Sequence, residues 1–180
     1  MEESDEALMA RVAHGDEPAY RQLARRHLPV AVALARRILG NTADAEDVAQ
    51  EAMLRVWVHA PRWQPLALFR TWFRRVVVNL CLDRKRRMPW TDLDAAGELV
   101  DPGAGPGEQI ERSERDRLVQ SAIAELPARQ RAAITLTYGE GLSNAEVADA
   151  LDTSVSAVET LLVRGKQHLR RTLAKVIEGE

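Results

Sequence analysis

The sequence predicts an all-α fold in two small helical domains joined by a flexible linker. Three observations carry this. Apolar residues recur at helical spacing in both halves of the chain, without the alternation expected of strands. The stretch from Trp90 to Ile110 is rich in glycine, proline and aspartate and poor in large apolar residues. Gly141 to Arg164 scans as helix, tight turn, helix. The domains are expected at 1–89 and 111–180, with 90–110 as an acidic tether. A chain of 180 residues with 46% hydrophobic content can fill cores of this kind.

In the first domain, Ser4 to Ala13 and Glu17 to Leu39 read as helices separated by His14-Gly15-Asp16, and Gly40-Asn41 ends the second. A third helix, Ala43 to His59, puts Ala45, Val48, Ala49, Ala52 and Val56 on an inward stripe. Another face gathers Asp47, Gln50 and Leu54, with Asp44 and Glu51 to one side and Trp57 to the other. Two readings fit that face: a polar rim around apolar anchors, suited to a protein partner, or a solvated surface holding a Glu51 to Arg55 pair. A loop from Ala60 to Leu68 carries Trp63 and two prolines. The fourth helix then places Phe69, Trp72, Phe73, Val76, Val77 and Leu80 on one side, a pattern that fits a core better than a nucleic-acid platform. Arg70, Arg74 and Arg75 lie around it, and it ends in Arg84-Lys85-Arg86-Arg87. Such a run is either a solvated helix end favoured by the macrodipole or, beside a second DNA-binding domain, a phosphate contact.

In the second domain, Ile110 to Glu125 reads as a helix with Ile110, Leu118, Ala122 and Ile123 inward. Leu126-Pro127 closes it, Pro127 opens the next helix, and Gly139 to Gly141 ends that one. The following helix starts on a capping box, with Ser143 and Glu146 satisfying each other's amides, and buries Leu142, Val147, Ala148 and Leu151. After the break at Asp152-Thr153-Ser154, a last helix turns Val155, Val158, Leu161, Leu162 and Leu169 inward. Its free side carries Glu159, Thr160, Val163, Arg164 and Lys166 and is shaped to enter a major groove. For Glu159 two roles stand open: accepting from a cytosine amino group, or a second capping box with Ser156.

Charge and composition exclude other classes. A formal net charge of -2 hides a basic cluster from Arg70 to Arg87 beside an acidic stretch from Asp92 to Asp116, so a chain that binds DNA poorly alone and is presented by a partner is expected. The single Cys81 rules out an intramolecular disulfide and fits a small core residue in a reducing compartment. The start Met1-Glu2-Glu3-Ser4-Asp5 is acidic where a secretory signal would be basic, and no apolar run approaches a membrane span, so a cytoplasmic protein without membrane insertion is expected. With the sequence ending at Glu180, no appended sensory domain is expected. Four scattered histidines, no nucleophile triad and no phosphate loop after a strand argue against an enzyme, and neither metal nor cofactor is expected.

Five segments in order, Asp44-Ala-Glu-Asp-Val-Ala-Gln-Glu-Ala-Met-Leu-Arg-Val-Trp57, Phe69-Arg-Thr-Trp72, Val77-Val-Asn79 with Asp83-Arg84, Leu126-Pro-Ala-Arg-Gln-Arg131 and Gly141 to Arg164, together resemble the extracytoplasmic function (ECF) sigma factors of the bacterial sigma-70 family. The resemblance covers nearly the whole chain. It implies a dissociable specificity subunit of RNA polymerase, with Asp47, Gln50, Glu51 and Leu54 docking on core polymerase. It implies that the first domain melts and captures the minus-ten element of the promoter. There Trp63 stacks on and Asn79 hydrogen-bonds a flipped base, while Arg70, Arg74, Arg75, Arg84 and Lys85 neutralise the opening strands. It implies that Glu159, Thr160, Val163, Arg164 and Lys166 read the minus-thirty-five duplex, Arg164 being the firmest base reader. An anti-sigma factor that occludes both DNA-binding domains is the implied regulator. The chain departs from the family pattern at Gln64-Pro65, where an aspartate-proline pair is usual, and at Glu159, where a basic residue is common. The rival reading is a self-sufficient helix-turn-helix regulator with a sensing domain in its first half.

Overall fold

The computed structural model describes residues 3–66, 68–87 and 116–178. The tether at 90–110 and the helical start at Ile110 fall outside these residues. Every regular element among the described residues is helical.

Local chemistry starts the first helices. In α1 (Asp5–Val12), Ser4 Oγ accepts from the Ala7 amide at 3.2 Å. In α2 (Glu17–Leu39), Asp16 Oδ1 accepts from the Ala19 amide at 3.1 Å, and Pro18 occupies the first turn, where its missing N–H costs nothing. Pro29 lies inside α2 and cannot donate to the Arg25 carbonyl, yet the helix runs on to Gly40, whose φ of 78° gives it a left-handed C-cap. Asn41 Oδ1 accepts from the Asp44 amide at 3.0 Å and opens α3 (Thr42–His59), one residue earlier than the sequence suggests. A 3-10 turn, Ala60–Arg62, follows. The amide of Phe69, at the start of α4 (Phe69–Arg87), donates to Glu6 Oε1 at 2.9 Å, so α1 caps α4 across the fold. The basic run Arg84 to Arg87 is the unbroken last turn of α4.

These four helices close around Leu8, Met9, Leu23, Ile38, Val56, Phe69 and Val77, all fully buried. His27 sits against Phe69 with ring centroids 4.9 Å apart, and its Nε2 lies 2.7 Å from Asp5 Oδ2, tying α1 to α2.

The second half contains α5 (residues 116–124), α6 (Ala128–Ile134), α7 (Asn144–Ala150) and α8 (Val155–Glu178). Between α6 and α7 the helix expected to end at Gly139 widens into a π-helical turn, Thr135–Gly139. Arg131 is buried and uses its guanidinium on backbone carbonyls of Ala124 and Leu126, which satisfies the end of the preceding helix. Gly165 lets α8 press onto α6, since a Cβ there would stand 3.1 Å from Ile134 Cγ1.

The two halves are docked. α7 lies on α4, and α6 touches α2 and α4. Arg131 Nη1 donates to the Ile38 carbonyl at 3.1 Å, at the negative end of α2, and Arg37 Nη1 meets Glu140 Oε1 at 2.7 Å. The sequence shows two helical blocks; their contact joins residues far apart in the chain, such as Arg131 and Ile38, 93 positions apart, and Arg75 and Asp152, 77 positions apart.

Candidate nucleic-acid interface

Three exposed faces stand on this scaffold. The first is the groove between α3 and α4, a hollow of about 890 Å³ lined by Asp47, Gln50, Glu51, Leu54, Asp83, Arg84 and Arg87 among others. The inward stripe of α3 fixes its orientation: Ala45, Val48, Ala49, Ala52 and Val56 are buried, so the residues between them face out. Leu54 keeps 54% of its surface in solvent beside Trp57 and Val58, an apolar strip with a charged border. The Glu51 to Arg55 pair foreseen as the solvated alternative also exists, at 3.2 Å. The groove thus unites all four residues expected to meet a protein partner.

Arg84 belongs to this groove. It bridges the nearly buried Asp44 and the exposed Asp47, at 2.9 Å from the latter, and its guanidinium pKa is raised chiefly by the Asp44 bond. These pairs hold Arg84 toward α3. Lys85 is half-buried, and burial, seconded by the charge of Arg131, pulls its ammonium pKa down.

The second face is a hollow of about 320 Å³ on α4, lined by Asn79, Trp72, Arg75, Val76 and Arg55. Helical spacing explains the grouping, because 72, 75, 76 and 79 share one side of α4. Trp72 stacks on His59, with centroids 5.4 Å apart and planes at 18°. The sequence reading counted Trp72 with the core stripe and expected Trp63 as the aromatic partner of Asn79. Trp63 and Trp72 are both half-buried and packed against the core, and Trp72 also lines the hollow beside Asn79. The hint was available: Trp72 is the stripe residue largest relative to the space a four-helix core offers, so part of it must reach the surface. Arg70 is exposed, and Arg74 and Arg75 are partly so, along the same helix.

The third face is the outer side of α8, where Glu159, Thr160, Val163, Arg164 and Lys166 are all exposed while Val158 and Leu162 are buried. The N-cap of α8 is Ser154, whose Oγ accepts from the Ala157 amide at 3.2 Å. Ser156 is already inside the helix, and its carbonyl accepts from Thr160 Oγ1 at 3.0 Å. Glu159 is therefore not part of a capping box and projects from the exposed face. Lys166 Nζ sits 5.1 Å above the Tyr138 ring, a cation-π contact that fixes one end of this face. The Ser143 and Glu146 capping box forms as expected, with the Glu146 carboxyl held below its ordinary range first by the Ser143 amide.

These faces fall within recognised sequence regions. Sigma-70 region 2 matches residues 23–91, and Sigma-70 region 4 matches residues 116–169. The ECF RNA polymerase sigma factor SigW of Bacillus subtilis is 31% identical over 173 residues, covering 90% of this chain and 92% of that protein. The chain belongs to the ECF sigma factors. SigE of Mycolicibacterium smegmatis is 37% identical, over 97% of this chain and 71% of that one. The solved structure of CnrH in complex with the cytosolic domain of CnrY superposes with a TM-score of 0.67 at 29% identity, covering 96% of this chain and 98% of CnrH. As a sigma factor the chain is a transcription initiation factor that works with core RNA polymerase on promoter DNA. The α3 groove and α4 hollow lie in region 2 and the α8 face in region 4. Among the described residues no helix is long and apolar enough to cross a membrane, and no group of His, Cys, Asp or Glu is placed to hold a metal ion.

Proposed function

We propose a division of labour for this sigma factor among the three faces. The α3 groove, through Asp47, Gln50, Glu51 and Leu54, docks on core polymerase. The α4 hollow receives a base extruded from the minus-ten element, with Asn79 offering amide donor and acceptor to its edge and Trp72 a stacking surface. Arg70, Arg74 and Arg75 neutralise the adjacent phosphates. The α8 face enters the major groove of the minus-thirty-five element, Arg164 donating to guanine and Glu159 accepting from cytosine.

One observation carries this reading: a half-buried amide and an indole share a small hollow on a helix edged with guanidiniums, a combination suited to a single base with its backbone. The protein has no catalytic role of its own and acts in the cytoplasm, where polymerase is found. Control by an anti-sigma factor is supported by the likeness to CnrH, solved with the cytosolic domain of CnrY.

The test is transcription in vitro with core polymerase, with and without the chain. Promoter-specific transcripts that need the chain, and that vanish with Asn79→Ala while core binding persists, are the expected result. Tight duplex binding by the chain alone, with no effect on core enzyme, would favour the rival regulator.

A further inference from the structure

The amide of Phe69 has a partner that its own segment cannot supply. Phe69 is fully buried, so water does not reach its backbone, and an unpaired amide there is costly. The Trp72 amide donates to the Leu68 carbonyl at 3.2 Å, which makes Leu68 the N-cap of α4, and leucine has no side-chain oxygen to turn inward. Glu6 fills that role from 63 positions away, its Oε1 accepting from the Phe69 amide at 2.9 Å. The neighbouring Asp5 holds α1 in place for this. Asp5 Oδ1 accepts from Arg26 Nη1 at 2.9 Å, Oδ2 lies 2.7 Å from His27 Nε2, and the His27 ring packs on Phe69 and Phe73. The contact continues toward the α4 hollow. The centroid of the Phe69 ring lies 5.8 Å from that of Trp72, and Trp72 lines the hollow with Asn79.

We propose that Glu6 is a positioning residue for minus-ten capture: by capping α4 from α1 it fixes the first turn of that helix, and with it the indole on which an extruded base stacks. The inference rests on the reading of the α4 hollow as a base site. Two physical points support it. The bond from the Trp72 amide to Leu68 is the first full-turn bond of α4, so a first turn that loosens carries Trp72 with it. Asn79 lies two turns further along, between the buried Val78 and Leu80, and stays where it is. Losing the cap therefore disturbs the stacking surface and spares the amide that meets the base edge. A carboxylate also suits this place because it faces the positive end of α4. No nearer side chain does this work: the residue at the cap position is Leu68, and α1 is the element that brings an oxygen to it.

The test measures binding of the holoenzyme to a fork-junction DNA with the minus-thirty-five element as duplex and the minus-ten non-template strand single. Each minus-ten base is replaced in turn by an abasic site. In the parent, the abasic site at the captured base should weaken binding most, and Asn79→Ala should reduce that penalty. Glu6→Ala should shrink the same penalty about fivefold, the order of a lost N-cap, and leave the other positions alone. Glu6→Asp keeps the charge but draws the oxygen back by one methylene, and should behave like Glu6→Ala. Glu6→Gln keeps an acceptor at full reach and should restore the parent profile. Asp16→Ala removes the cap of α2 instead, weakening the same half of the protein without touching α4, so its profile should match the parent. A parent profile in Glu6→Ala or Glu6→Asp, a flattened one in Glu6→Gln, or equal flattening in Asp16→Ala overturns the proposal. Asn79→Ala judges the underlying reading separately. If no position in the parent carries a penalty that depends on Asn79, the base site itself fails; if one does and the Glu6 variants leave it unmoved, only the positioning role fails.

Discussion

Arg164 leaves the exposed side of α8 with no ion pair among the described residues' bonds that would hold it against the protein, so its guanidinium is free for a base edge. Arg164→Ala should cost about 1 to 3 kcal/mol of promoter binding and relax one position of the minus-thirty-five element. Holoenzyme binding to a panel of single-base promoter variants checks this, and equal loss across the panel would reassign Arg164 to the backbone. Cys81 is the opposite case. It is fully buried, and burial pushes its thiol pKa up to about 12, so little thiolate exists at neutral pH. A thiol reagent at pH 8 should leave the native chain unmodified and label it fully once it is unfolded. Rapid labelling of the native protein would contradict the buried assignment. Glu146 links charge to stability in the ordinary carboxylate sense. Its folded pKa lies below the unfolded one, so its contribution is present above the ordinary carboxylate range and is lost as pH falls through the lowered value. Denaturant titrations of the parent and Glu146→Ala should converge in acid and separate at neutral pH.

At the level of the element, start and stop signals decide where helices lie, and they are local. Ser4, Asp16, Asn41, Ser143 and Ser154 each place a side-chain oxygen on an amide three residues ahead. Spacing of this kind is visible in sequence because the partner is never far. Replacing the oxygen at Ser143 with Ala should cost about 1 kcal/mol, measured by equilibrium unfolding. Gly40 ends α2 for a similarly local reason. A Cβ there would meet Arg131 Nη1 at an ordinary 3.6 Å, so Gly40→Ala is disfavoured by its φ of 78° rather than by crowding. The expected loss is about 1 to 2 kcal/mol, read from thermal unfolding of the full chain. What the sequence did not reveal at this scale is the π-helical widening at Thr135–Gly139, which lies against α2 and α7.

For the whole molecule, function depends on the faces that point outward. Leu54 is exposed, so Leu54→Glu should change stability by no more than about 0.5 kcal/mol while sharply weakening capture by immobilised core polymerase. Loss of stability with retained capture would move the docking surface elsewhere. The all-α class, the four helices of the first half, the capping box and the outward face of α8 were legible in the sequence because helical periodicity and caps operate over three or four residues. So were Asp47, Gln50, Glu51 and Leu54 as one group. The contacts of Arg84 and the neighbour of Trp72 were not. Arg84 reads as one more cation in a basic run until α3 brings Asp44 and Asp47 to it from forty positions away. Trp72 reads as core until the four-helix packing leaves one side of it beside Asn79. Nor is the pairing of Asp152 with Arg75 legible, since the two are 77 positions apart. The sequence by itself determined which helices form and which of their sides are apolar, because those choices are made within a few turns. Only the tertiary structure decided which charges meet, because an ion pair depends on distance in space, and that distance is set by how the helices pack within each half and across the two.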